Sequence, residues 1–277
     1  MPEVSVVIPT LGDECVKGAV ESAREQTIDT EVIVVDDGDE VLNLDVDTYI
    51  RPNSGSVGAA RNRGVEAASS DYIAFLDDDD RWDPVKCEKQ IARLEYTGAD
   101  VVTCNHADTS GIHRFKLTSG FEQLKQVSLG VPSSILTRRA VPESVPFADL
   151  GVWEEREWYS RILETYRAVG VDHVLTTYDD SNEGSISGST NAIVREGIPM
   201  IRRRAIELGE DPDEAVAWAH RRLSIILHKE SRVESLKHSL LAVRHDPEWP
   251  MFRSVIRSIL GPRYHTLDRY INRIRDN

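Results

Sequence analysis

The sequence predicts an α/β fold, a mostly parallel sheet flanked by helices, with a helical extension at the carboxyl end. Three observations predict it. Residues 4–8 and 31–35 are continuous β-branched runs separated by one amphipathic stretch, the pattern of a βαβ unit with its right-handed parallel crossover. Residues 71–82 read DYIAFLDDDDRW, a short apolar strand that stops in four successive carboxylates. From about Ile193 onward, apolar residues recur at helical spacing.

Taken in order, VSVVI at 4–8 is a buried strand halted by Pro9-Thr10. Residues 14–26 carry Val16, Ala19, Val20 and Ala23 on one helical face. EVIVV at 31–35 is the second strand and ends in Asp36-Asp37-Gly38, and residues 48–51 suit a short third. In NSGSVGAARNRGVEAA, residues 53–68, Gly55 and Gly58 allow a tight loop and Ala59, Ala60, Val65 and Ala68 face one side of a helix. Arg61 falls near that helix start, where a guanidinium and free amides both suit an anion. Neither GxGxxG nor GxxxxGK[ST] occurs there. A helix over 84–96 and a strand over 100–104 follow; GVPSSIL at 130–136 is expected to supply another strand, and 171–178 a last one. Between these, residues 147–163 bury Trp153, Trp158, Ile162 and Leu163, while Glu154, Glu155 and Glu157 suit a helix amino end through the macrodipole. Residues 179–191, rich in Ser, Gly, Asn and Asp, read as a loop, either a lid or a linker. Two domains follow, 1–192 and 193–277.

The four carboxylates Asp77, Asp78, Asp79 and Asp80 repel one another at the end of a core strand unless a cation neutralises them. Mg²⁺ binds through one or two carboxylates plus a substrate's phosphates, and open α/β sheets take ligands at the carboxyl ends of their strands. The stretch therefore points to a metal–phosphate site, against the plainer reading of a solvated acidic turn.

With 33 Lys and Arg against 47 Asp and Glu, the net charge of −14 disfavours nucleic acid as a partner. Residues 195–277 reverse the sign, with 16 basic residues against 12 acidic. Their segments after Pro250, with Phe252, Val255, Ile256, Ile259 and Leu260 on one face and Arg253, Arg257, Arg269, Arg273 and Arg275 beside them, fit either an anionic membrane surface or packing on the catalytic domain or a second copy in a homodimer. No apolar run approaches the roughly eighteen residues a membrane helix needs, the start lacks a leader pattern, and three cysteines without CxxC spacing fit a reducing compartment. A cytoplasmic protein, working at the inner membrane face if membrane-associated, is the expectation.

With these residues in hand, the chain resembles a family 2 glycosyltransferase of the GT-A fold. VSVVIPT at 4–10 and EVIVVDDG at 31–38 resemble its first two strands, residues 53–68 its N-x-G-x-x-x-A-R-N-x-G segment, and DYIAFLDDDDRW its DxD strand; WEEREWYSR at 153–161 resembles its later E-D segment. The resemblance implies an inverting transfer of a sugar from a nucleoside diphosphate with Mg²⁺ or Mn²⁺ as cofactor. It implies Pro9, Thr10, Asp36 and Asp37 at the base, Arg61 at base or diphosphate, Asp77 or Asp78 near ribose and sugar, and Asp79 with Asp77 on the metal. Glu155, standing where the family has Asp, or else Glu154, would be the base that deprotonates the acceptor. The acceptor is a glycan or a lipid-linked carrier. Two other readings stand beside this one: a nucleotidyl- or phosphotransferase, which the missing cation in Pro9-Thr10-Leu11-Gly12-Asp13 disfavours, and a non-catalytic nucleotide-sugar-binding subunit. A hydrolase is excluded by the absence of GxSxG and HExxH.

Overall fold

A computed structural model of the chain describes residues 2–118, 121–125, 129–179, 190–228, 231–247, 255 and 259. It divides into two compact units, Met1–Ser185 and Ile186–Asn277.

The first unit begins with β1 (Val4–Thr10), α1 (Val16–Arg24), β2 (Thr30–Asp36), β3 (Thr48–Ile50), α2 (Val57–Ala67) and β4 (Tyr72–Phe75). These four strands are parallel in the order β3-β2-β1-β4, with Val4 opposite Thr30 and Thr10 opposite Asp36. Every residue of β1 is buried, because helices cover both faces. Val4, Val6 and Ile8 join Val16, Ala19 and Leu94 on one side; Val7 joins Val65, Phe75 and Trp158 on the other. Close approach of α2 requires Gly64, where a Cβ would stand 2.2 Å from Val7 Cγ1.

The chain continues through β5 (Arg81–Trp82), α3 (Lys86–Thr97), β6 (Val101–Asp108), β7 (Gly111–His113), α4 (Phe121–Lys125), β8 (Leu136–Arg138), α5 (Ala140–Ser144), α6 (Glu154–Thr165) and β9 (Ala168–Thr177). Beyond β4 the sheet is mixed: β8 runs antiparallel to β4 and β6, β9 is parallel to β6, and β5 is antiparallel to β9. The parallel character inferred from the sequence thus belongs to the first four strands and to the β6–β9 pair. Residues 130–136 also differ from expectation. Pro132–Ser134 is a 3-10 turn and the strand starts only at Leu136, since Pro132 fixes its φ and has no N–H for a ladder.

The second unit holds α7 (Thr190–Ala192), a π-turn (Ile193–Gly197), α8 (Ile198–Glu207), α9 (Pro212–Leu227) and α10 (Arg232–His245). Ala215, Ala219, Leu223 and Leu227 are buried as expected. On α10 the apolar residues Leu236, Leu240, Leu241 and Val243 recur at helical spacing, but Leu240 is 53% exposed, the other three are half-buried, and the buried face is Ser235, His238, Ser239 and Ala242. Small and polar side chains win this face because they let the backbones approach and bond across, as Ser235 Oγ does to the Ser224 carbonyl at 2.8 Å. The amphipathic segment expected after Pro250 lies outside the described residues, apart from Val255 and Ile259. No described helix is long and apolar enough to cross a membrane.

In the same interface His220 Nδ1 lies 2.9 Å from His238 Nδ1, a contact that needs one shared proton. Burial pushes His220 down to about 4, with His238 and then His245 adding, and burial also lowers His238, with Lys237 assisting and Glu234 opposing. His245 is paired with Asp213 at 3.0 Å. The unfolded chain therefore binds more protons here than the folded one below the ordinary histidine value of 6.5. Stability contributed by this pair is predicted to be full above about pH 6.5 and to fall toward pH 4. Melting temperature followed across that window should decline, and His220→Leu should flatten the decline.

Candidate active site

The carboxyl ends of β2, β1 and β4 lie side by side, and the loops that leave them meet. Thr10 Oγ1 donates to Asp78 Oδ2 at 2.6 Å and accepts from the Gly12 amide at 3.1 Å, so the end of β1 is tied to the acidic turn. The Asp37 amide donates to the Thr10 carbonyl at 2.9 Å. The two acids after β2 differ. Asp36 is buried and holds its own loop together, accepting from the Tyr49 hydroxyl and, at 2.7 Å, from the Gly38 amide, with Arg51 Nε 3.6 Å away. Asp37 is half-buried and uses Oδ1 for the Ser54 amide at 2.9 Å. Gly38 fits against Leu11, whose carbonyl oxygen would stand 2.4 Å from a Cβ there.

Asp77 to Asp80 form a turn closed by the Asp80 amide on the Asp77 carbonyl at 3.1 Å. The 3-10 turn of Pro132–Ser134 braces it. Ser133 Oγ accepts from the Asp77 amide at 3.0 Å, and the Ser133 carbonyl accepts from Trp82 Nε1 at 2.7 Å. Burial raises Asp78 to about 6; the Thr10 hydroxyl pulls the other way, and Asp79 and Asp77 push further up. Asp80 is fully buried. Burial first, then Asp77 and Asp79, hold it well above the usual carboxylate range. One of its oxygens accepts from the Asp179 amide at 3.1 Å, and Oδ2 has no hydrogen-bond partner among the described residues.

From the other side comes the start of α6. Trp153, just before it, has φ 59°, a strained left-handed conformation for a bulky residue. Glu154 follows, 5% exposed, and pairs with Arg61 Nη1, while Arg61 Nη2 reaches Asp77 Oδ1 at 2.6 Å. Burial lifts Glu154 above the usual range, with Arg61 pulling against it. Glu155 is more open, its side chain 17% exposed and 3.6 Å from Arg156 Nε. Asn62 clamps the approach to α6, donating to the Phe147 carbonyl and accepting its amide, both at 2.9 Å. Gly58 admits the same segment, since a Cβ would stand 2.1 Å from the Ala148 carbonyl oxygen.

The structure thus brings together Thr10, Asp77, Asp78, Arg61 and Glu154 through direct contacts, with Asp37, Asp79 and Glu155 on the same loops and turn. Pro9 lies within β1, buried and in register with Val35. Asp36 is engaged by its own loop, and Arg61 by two carboxylates. Sequence reasoning gave no role to Asn62 or Ser133, whose work is tertiary; the signal for Asn62 was its place in the A-R-N-x-G segment, beside Arg61.

Mg²⁺ takes oxygen ligands and completes its shell with phosphates and water. The crowded carboxylates and the orphaned Asp80 oxygen fit such an ion in chemistry. Among the described residues, however, no group of three or more His, Cys, Asp or Glu is arranged to hold one.

The fold is that of the GT-A glycosyltransferases. Residues 5–121 match the model of the family described as Glycosyl transferase family 2. EpsH of Bacillus subtilis (strain 168), a glycosyltransferase by name, is 36% identical over 118 residues, which are 38% of this chain and 34% of EpsH. The match thus spans only about a third of that relative. Among solved structures, S. aureus TarS 1-349 in complex with UDP-GlcNAc is similar with TM-score 0.60 and 19% identity, over 95% of this chain and 86% of that one. The mannosyltransferase PcManGT from Pyrobaculum calidifontis, in complex with GDP-Man and Mn²⁺, is similar with TM-score 0.55 and 15% identity, over 96% of this chain and 83% of that one.

Proposed function

We propose that the protein is an inverting, divalent-metal-dependent glycosyltransferase that moves a sugar from a nucleoside diphosphate to an acceptor hydroxyl. One observation carries the reading: the acidic turn after β4 and the carboxylate pair that opens α6 stand at one place, joined through Arg61. Donor and acceptor chemistry need separate acids on separate elements, and this arrangement supplies both.

Thr10 and Asp37 line the base end, with Asp36 shaping the loop behind them. Asp77 and Asp79 are the metal acids, and Asp78, tied to Thr10, faces the ribose. A cation held there would offset the charge that develops on the departing diphosphate. The acceptor oxygen attacks the anomeric carbon as the bond to the diphosphate breaks, and its proton passes to Glu155. Glu155 is assigned this part because Glu154 is committed to Arg61. One displacement inverts the anomeric centre; a double displacement would need a nucleophile beside that carbon. The basic balance of residues 195–277 favours a lipid-linked acceptor at an anionic membrane face.

UDP-GlcNAc and GDP-mannose are the donors to try first, since TarS and PcManGT were captured with them. With water taking the sugar in place of the acceptor, slow release of UDP or GDP in the presence of Mn²⁺ is the expected result, and EDTA should abolish it. Release that persists in EDTA would remove the metal from the mechanism.

A further inference from the structure

Arg61 was expected to hold base or diphosphate, and its surroundings argue otherwise. The residue is 2% exposed. Of its guanidinium nitrogens, Nη1 is spent on Glu154 and Nη2 on Asp77 at 2.6 Å. Its Nε is buried with no hydrogen-bond partner among the described residues. The ring of Phe147 covers it, with the centroid 5.5 Å from Cζ. A guanidinium taken up on both terminal nitrogens and packed against an aromatic ring offers a phosphate no open edge.

We propose that Arg61 is a positioning residue, a buried strut on α2 that fixes the first turn of α6 against the acidic turn after β4. This rests on the glycosyltransferase reading above, in which Asp77 belongs to the donor side and Glu155 to the acceptor side. Glu154 is the chain neighbour of Glu155, so the pair Arg61–Glu154 sets where Glu155 stands. The second pair, Arg61–Asp77, ties that position to the leaving group. The strut also explains why the buried Glu154 and the half-buried Asp77 are tolerated around one site: burial lowers the tendency of Arg61 to keep its charge, but Asp77 and Glu154 more than offset this. Its neighbours are Asn62, on the same helix, which clamps Phe147, and the left-handed Trp153 just before Glu154.

Two variants cut the strut differently. Glu154→Gln keeps the shape and drops the charge. Arg61→Lys keeps the charge and loses the fork that reaches two acids at once. Calorimetry with UDP and with GDP, each with Mn²⁺, reads donor binding; release of UDP or GDP from saturating UDP-GlcNAc or GDP-mannose reads turnover. Both variants are expected to bind within about twofold of the parent and to release roughly 10- to 100-fold more slowly, the cost of a small misplacement of the base. The double variant should be no slower than the slower single one, because both break the same connection. Weaker binding in Arg61→Lys by about tenfold or more, with turnover at saturation unchanged, would return Arg61 to the nucleotide and overturn the strut. Parental behaviour in both variants would also overturn it. If Arg61→Lys fails to fold by circular dichroism, Glu154→Gln decides alone: slow release with intact binding supports the strut, and parental release overturns it. A parent that binds neither nucleotide overturns the underlying glycosyltransferase reading, and the strut with it, before any variant is compared.

Discussion

Replacing Glu155 with Gln is expected to lower turnover by about 10²- to 10⁴-fold, the usual worth of a positioned general base, with nucleotide binding intact. The expectation rests on the contrast between two adjacent acids. Glu154 is 5% exposed and paired with Arg61, so its carboxylate is spent on structure. Glu155 is the second residue of α6, and its side chain is 17% exposed, open to an incoming acceptor. It also lies on a different element from Asp77 and Asp79, as an acid serving the opposite face of the sugar must. Steady-state rates of nucleotide release and a calorimetric titration of the same sample separate the two effects. Parental turnover in Glu155→Gln would take Glu155 out of the mechanism.

Trp158→Ala is predicted to cost about 3–5 kcal/mol, the range for deleting a buried aromatic side chain. Trp158 is fully buried. Its ring stacks on Phe147 with centroids 4.3 Å apart and meets Phe75 edge-on at 5.7 Å, while Nε1 donates to the Val145 carbonyl at 2.6 Å. Truncation would leave a cavity between α6 and β4 and an unpaired carbonyl. Since domains are stable by only about 5–15 kcal/mol, denaturant unfolding should register a large share of the total. Trp158→Phe keeps most of the stacking and loses only the hydrogen bond, so it should recover most of the difference. A loss below about 1 kcal/mol in Trp158→Ala would mean that α6 is not anchored there.

Much of the first unit was legible because its signals are local. β1 and β2 are unbroken β-branched runs that only a two-sided core accommodates, and the strand before Asp77 ends where its apolar residues end. The four carboxylates marked the acidic turn by their charge alone. What was hidden depends on contacts between distant segments. Nothing in GVPSSIL marks Ser133 as the brace of the acidic turn, because its partners are Asp77 and Trp82. Arg61 looked like an anion ligand from its place on a helix, and only the fold shows two carboxylates meeting it. Nothing in the helix over 84–96 marks Lys86, which is buried, bonded to Gln90 at 2.8 Å with its ammonium 3.9 Å from the centre of the Trp82 ring. On α10 the apolar stripe misled because the buried face is chosen by size and hydrogen bonding, with Ser235, Ser239 and Ala242 preferred to Leu240.

The most direct test of the central claim, a metal-assisted site for a nucleoside diphosphate at Asp77–Asp80, is calorimetry with UDP, GDP and dTDP, each with and without Mn²⁺. Binding of one diphosphate that depends on the metal and is lost in Asp79→Asn is the predicted result. Binding that ignores the metal and survives Asp79→Asn, or no binding to any of the three, would contradict it.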